Sequence, residues 1–114
     1  MRNIFLILLF IPLVSFSQNS YKVDKITDID YNNNVVFPEK KDFLDIHIPS
    51  GKESYPVIVY FHGGALIAGS KEMGKDIGEK LAKNGIGFVS ANYRLSPTAK
   101  YPDHLNDAQA ATEW

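Results

Sequence analysis

The segment Val57–Phe61 is an unbroken apolar run, V-I-V-Y-F, that stops at His62-Gly63-Gly64. A run of that length without polar alternation is a strand covered on both faces, the usual state of a central parallel strand. The two glycines free the backbone to turn sharply and to present N–H groups. A helix is expected to follow from Ser70. A strand, a glycine turn and a helix together make a place where backbone donors can meet an anion.

The 114 residues carry no cysteine and a net charge of -1. That length holds one domain at most. The scattered, near-neutral charge leaves no footprint for nucleic acid. Without cysteine there is no disulfide framework and no sulfur-based metal site. Met1-Arg2-Asn3 supplies one positive charge, Ile4 to Val14 is apolar apart from Pro12, and Ser15-Phe16-Ser17 places small residues where a signal peptidase reads. This is the layout of a secretory leader, and its apolar core is too short to span a bilayer. Residues 1–17 are therefore expected to be a signal peptide, with an uncleaved membrane anchor as the competing reading. The remainder would be secreted or periplasmic, without stable membrane association after cleavage.

From Tyr21 to Tyr31 polar and apolar residues alternate, apart from Lys25 and Ile26, which swap the pattern. Asn32-Asn33-Asn34 is a turn signal. Leu44, Ile46 and Ile48 alternate with Phe43, Asp45 and His47 before Pro49-Ser50-Gly51. The two segments read as an antiparallel pair at a sheet edge, with one face wet. After the glycine turn, Ser70 is expected to cap a helix running to about Asn84. Met73, Ile77 and Leu81 would form its apolar stripe, and Gly74 and Gly78 beside it would allow close approach to the sheet. Asn84-Gly85 reads as a left-handed stop, and Ile86–Ala91 as the next strand, completing a right-handed βαβ unit. Past the irregular segment Asn92–Pro102, Asp103 is expected to cap a final helix with Leu105, Ala108, Ala111 and Trp114 inward.

Four motifs then occur in order: His62-Gly63-Gly64-Ala65; Gly69-Ser70-Lys71; Asn92-Tyr93-Arg94-Leu95-Ser96-Pro97; and Tyr101-Pro102-Asp103 with Asp107, Ala108 and Trp114. With Leu44–Pro49 ahead of them, they make the chain resemble an α/β-hydrolase. More narrowly, it resembles the secreted esterase and lipase group with an HGGG-type motif, hormone-sensitive-lipase-like and feruloyl-esterase-like enzymes included. The resemblance covers roughly Asp42 to Trp114. It implies an α/β fold: the N-terminal part of an α/β-hydrolase, with an antiparallel strand pair, a βαβ unit and a further helix on a mostly parallel sheet. Val57–Phe61 becomes the third strand, and the fourth lies between the second and the third. The family's serine sits on a G-x-S-x-G elbow with its acid and base downstream. No G-x-S-x-G occurs here. By resemblance, residues 18–114 are a partial domain truncated before the elbow, with no nucleophile in the chain.

The resemblance also assigns the loop a task. Acyl transfer concentrates negative charge on one oxygen, and fixed N–H donors aimed at it lower the barrier. Carried onto this chain, the donors are the amides of Gly64 and Ala65, with Gly63 needed for the turn. Ala65 stands where a third glycine is usual, which a backbone donor tolerates, and Leu66 replaces an aromatic residue common at that place in the family. His62 precedes any nucleophile and is expected to hold the loop by hydrogen bonds rather than act as base. Tyr93, Arg94 and Asp107 would form a buried polar brace, although Arg94 fits an ordinary surface position equally well. His47 and His104 are expected at the surface. Three histidines without clustered carboxylates make no metal site, and no cofactor is implied. The parent would be a serine hydrolase of carboxylic esters, small-molecule or polysaccharide-linked, and this chain alone inactive. A non-catalytic secreted binding module, or a relic keeping half the fold, is the alternative from another class.

Overall fold

The computed structural model describes residues 20–33 and 37–114. The expected signal peptide and Asn34 of the expected turn lie outside the described residues. Four strands, β1 (Val23–Asp30), β2 (Phe43–Pro49), β3 (Val57–Phe61) and β4 (Gly87–Ala91), form one mixed sheet in the order β1-β2-β4-β3. The pairs β1–β2 and β2–β4 are antiparallel, and β3–β4 is parallel. Helix α1 (Lys75–Lys83) joins β3 to β4, and α2 (Asp103–Glu113) follows β4. This is a partial α/β-hydrolase fold. The strand pair, the βαβ unit and the insertion of β4 between β2 and β3 are as the sequence and the resemblance imply.

Side-chain alternation divides the core into two layers. Leu44 of β2 and Ala91 of β4 are fully buried with Tyr31 and with Ala111 of α2, and Ile46, Phe61 and Val89 pack around them. On the opposite face His47, Phe88 and Ser90 lie under α1. Strand β2 is therefore covered on both faces and paired on both edges, not wet on one side. The anomaly at Lys25 and Ile26 has a structural counterpart in a β-bulge. Ile26 pairs with Ile46 and Ile29 with Leu44, so Thr27 and Asp28 together oppose Asp45. Asp28 takes φ 58° there, a left-handed value that Asp tolerates better than most residues.

Helix α1 departs from the expected reading at its start and in its seating. Lys71–Gly74 is a 3₁₀ turn, and the Ser70 hydroxyl makes no capping bond. Gly74, Gly78 and Ala82 are the buried positions. A Cβ on Gly78 would stand 2.7 Å from Phe88 Cδ1, and one on Gly74 2.5 Å from Ser90 Oγ. The helix thus seats on its glycines, the close approach expected of them. The stop at Asn84-Gly85 is a Schellman turn: Ile86 N–H donates to Leu81 O, Gly85 N–H to Ala82 O, and Gly85 has φ 83°. Met73 and Ile77, by contrast, are about half exposed. Glu79 reaches Lys25 on β1 at 2.7 Å, and Ile77 lies about 200° round the helix from it. The stripe therefore lies on the side of the helix away from β1, and the helix seats on β4 and β2.

The second helix shows a similar offset. Asp107 and Ala111 face inward, while Leu105 and Trp114 are exposed and Ala108 is half-buried. Asp103 does not cap α2; its carboxylate accepts the Lys100 N–H at 3.0 Å, closing the turn before the helix. Among the described residues β3 is the edge of the sheet, not the central strand covered on both faces that its apolar run predicts: Val57, Ile58 and Val59 are 53, 43 and 37% exposed. Met73, Ile77 and Leu105 are exposed as well. Among the described residues no helix is long and apolar enough to cross a membrane.

Candidate functional site

The parallel strand β3 delivers His62-Gly63-Gly64 to the C-terminal end of the sheet, beside the end of β4. Gly64 O accepts from Ile67 N–H at 3.0 Å and from Ala68 N–H at 3.1 Å, folding the loop onto itself. Gly64 has φ 127°, and a Cβ there would run into Ala68 O. Ala65 and Leu66 follow at φ 53° and 64°. Two consecutive non-glycine residues in the left-handed region cost about 1–2 kcal/mol each, which explains why a glycine would suit position 65. Gly63, Gly64 and Ala65 are exposed, and among the described residues no backbone or side-chain group accepts their amides. The strain therefore holds unpaired donors at the end of β3.

His62 is buried at 3% exposure and stacks on Tyr93, ring centroids 4.4 Å apart. Its Nδ1 donates to Gly63 O at 2.8 Å. Tyr93, also buried, donates its hydroxyl to His62 O at 2.6 Å, and burial pushes its phenol pKa up, keeping it a donor. Gly69 has φ 102°, and any Cβ there would strike the His62 ring and Gly63 O. The ring thus ties the entry of the loop to its exit.

Arg94 and Asp107 lie behind this pair. The Asp107 carboxylate is buried and accepts Arg94 N–H at 2.9 Å, Nε and a guanidinium NH2 group, the last at 2.7 Å. The hydrogen bond to Asp107 comes first among the causes that raise the Arg94 pKa. The guanidinium also lies over the Phe37 ring, 4.3 Å from its centroid. Arg94 is thus half-buried and committed to a fork that joins the segment after β4 to α2, rather than free at the surface.

An apolar groove of about 640 Å³ opens beside the loop. Phe61, Leu66, Tyr93 and Leu105 form its walls, and Ser96 and His104 line it with Oγ and Nε2 3.3 Å apart. His104 is therefore half-buried in the groove rather than at the surface. His47 is buried at 3% beneath α1, edge-on to Phe88. Burial lowers its pKa, assisted by Lys25 and Lys75 and opposed by Asp45 and Glu79. Both histidines escaped sequence reasoning because alternation and helical position do not record what packs above a residue. Lys71 escaped it too: at 4% exposure it is the most enclosed lysine among the described residues.

Comparison with known proteins points the same way. The chain is 38% identical over 72 residues to tuliposide A-converting enzyme b1 of Tulipa gesneriana, covering 60% of this chain and 19% of that protein. It superposes on a truncated carbohydrate esterase from gut microbiota with a TM-score of 0.68 at 30% identity, over 83% of this chain and 33% of that one. Esterase B from Lactobacillus rhamnosis matches in fold, with a TM-score of 0.70 at 21% identity over 81% of this chain and 29% of that one. The chain thus spans about a fifth of the length of the curated relatives it matches. The segment from Leu44 through the glycine loop to Trp114 is what the BD-FAE sequence profile matches, residues 44–114, and the chain belongs to that family.

Proposed function

We propose that this chain supplies the oxyanion-binding half of a site that hydrolyses carboxylic esters. The observation that carries the reading is the strained loop, whose Gly63, Gly64 and Ala65 amides are exposed and unpaired among the described residues. Gly64 and Ala65 are the donors, Gly63 permits the turn, and His62, Tyr93, Arg94 and Asp107 hold the frame behind them. Donors fixed in advance need not reorganise when charge develops on the carbonyl oxygen. The similarity to proteins named as esterases, one of them a carbohydrate esterase, supports an ester substrate and favours an acyl group carried on a saccharide. The groove beside the loop is apolar enough to seat an acyl or aryl group. The leader-like N-terminus supports a secreted or periplasmic enzyme.

No G-x-S-x-G is present in the sequence, so the nucleophile must come from elsewhere in the complete enzyme. Residues 18–114 alone are expected to give no saturable turnover of p-nitrophenyl acetate; saturable kinetics would overturn the division of labour. In the enzyme completed by its elbow, Gly64→Ala is expected to lower kcat by about 10²–10³. An unchanged kcat would remove the loop from the mechanism. The groove gives the binding-module reading its foothold. Saturable binding of an ester that survives Gly64→Ala, in a complete protein without turnover, would favour it.

A further inference from the structure

The oxyanion-binding loop is held at its entry by His62 and Tyr93. Its exit, two residues past Gly69, is Lys71, and every polar group of that residue is engaged. Lys71 N–H donates to Asn92 Oδ1 at 2.6 Å, and Ser90 Oγ donates to Lys71 O at 2.6 Å. Its ammonium meets Asp45 Oδ1 at 2.7 Å, Asp28 Oδ1 at 3.0 Å and Glu72 Oε1 at 3.2 Å. Burial alone would lower the Lys71 pKa, but the hydrogen bonds to Asp45, Asp28 and Glu72 outweigh it and raise the pKa. Asn92 is anchored in turn: its side-chain amide donates to Lys40 O at 2.9 Å, and its carbonyl accepts the Tyr31 hydroxyl at 2.8 Å.

The bulge in β1 completes this arrangement. By placing two residues opposite Asp45 it turns Asp28 toward β2, so that Asp28 N–H donates to Asp45 Oδ1 at 2.9 Å while its carboxylate reaches Lys71. The left-handed Asp28 and the buried lysine thus form one structure that ties the outermost strand to the end of the loop. We infer that Lys71 is a positioning residue for the site. Through the Asp28–Asp45 bulge and Asn92 it fixes the exit of the loop, and thereby where the Gly64 and Ala65 amides point. The inference rests on reading those amides as the oxyanion donors.

Hydrogen exchange on the full chain tests the clamp without requiring turnover. The reporters are the amides of Ile67, Ala68 and Ser96, which close the loop onto Gly64 and Leu66; Val89 and Ala91 in β4 are the reference. In Lys71→Met the loop amides should exchange about 10-fold faster while the β4 amides stay within about 2-fold, the signature of local opening. Lys71→Arg should restore most of the protection. Unchanged loop protection, or an equal rise in β4, would overturn the inference. Should Lys71→Met not fold, Asp28→Asn at the exposed end of the cluster serves instead: selective loss in the loop supports the clamp, and no loss refutes it. Failure of the oxyanion reading is distinguishable, because it would show as an unchanged kcat in Gly64→Ala while the exchange result stands.

Discussion

The two edges of the sheet are built on opposite principles. At β1 the outer strand is bulged and carries charge: Lys25 pairs with Glu79 at 2.7 Å, and Asp28 pairs with Lys40 at 2.6 Å. A bulge and charged side chains are how an edge is closed against further pairing. At β3 the strand is regular, apolar and exposed, and Met73, Ile77 and Leu105 are exposed as well. An open apolar edge is a template for pairing. Among the described residues β1 is thus protected against further pairing and β3 is not. Helix α1 seats on β4 and β2 through its glycines and leaves Ile77 exposed.

The largest effect should be on association. The chain is expected to self-associate through β3 at micromolar concentration. Ile58→Lys should shift it to monomer in size-exclusion chromatography with light scattering, and Ile26→Lys on β1 should leave it unchanged. A monodisperse monomeric parent chain would break the comparison. Next comes the interior strand between the edges. Leu44→Ala, at a fully buried site, should cost about 2–5 kcal/mol in denaturant unfolding, whereas Ile26→Ala on the half-exposed β1 face should cost less than about 1 kcal/mol. Equal costs would mean that the edge strand β1 is packed as tightly as the interior strand.

The seat of α1 supplies a third test. Gly78→Ala should destabilise by about 1–3 kcal/mol, because its Cβ would meet Phe88 and His47. Ile77→Ser, at an exposed position, should stay within about 0.5 kcal/mol and improve solubility. The smallest effect is that of pH. Burial holds His47 below its ordinary 6.5 in the folded chain, so the unfolded chain binds the proton more readily. The contribution of His47 is complete above pH 6.5 and is lost as pH falls through that value toward the lower folded one. Replacing His47 with Gln should flatten this part of the pH–stability curve. A curve that keeps its slope would place the titration elsewhere.

Much of this architecture was legible in the residues. The apolar run Val57–Phe61 and its glycines gave the strand and the tight turn, but not the covering: Val57, Ile58 and Val59 are exposed at the edge of the described sheet. Asn84-Gly85 after a helical stretch marks a left-handed stop, and the structure has that stop. The alternation in Phe43–Pro49 gave the strand but not its second covered face, because alternation is blind to a helix that seats against polar-looking residues such as His47. Met73, Ile77 and Leu81 were read as the seat because periodicity reports which residues are apolar, and it does not report which face a neighbour occupies. Glycines win that contact by allowing backbone-to-sheet approach that no side chain permits.

The order of elements, the stops between them, the family and the loop at His62-Gly63-Gly64-Ala65 were all readable from the residues. Those features reside in local backbone preference and in short motifs. The burial of Lys71 among three carboxylates from β1, β2 and its own turn, the locking of Arg94 to Asp107 and the difference between the two sheet edges emerged only in the folded chain. Each of these depends on residues far apart in the chain arriving at one place. The burial of a charge, unlike the start of a strand, is a property of its distant partners.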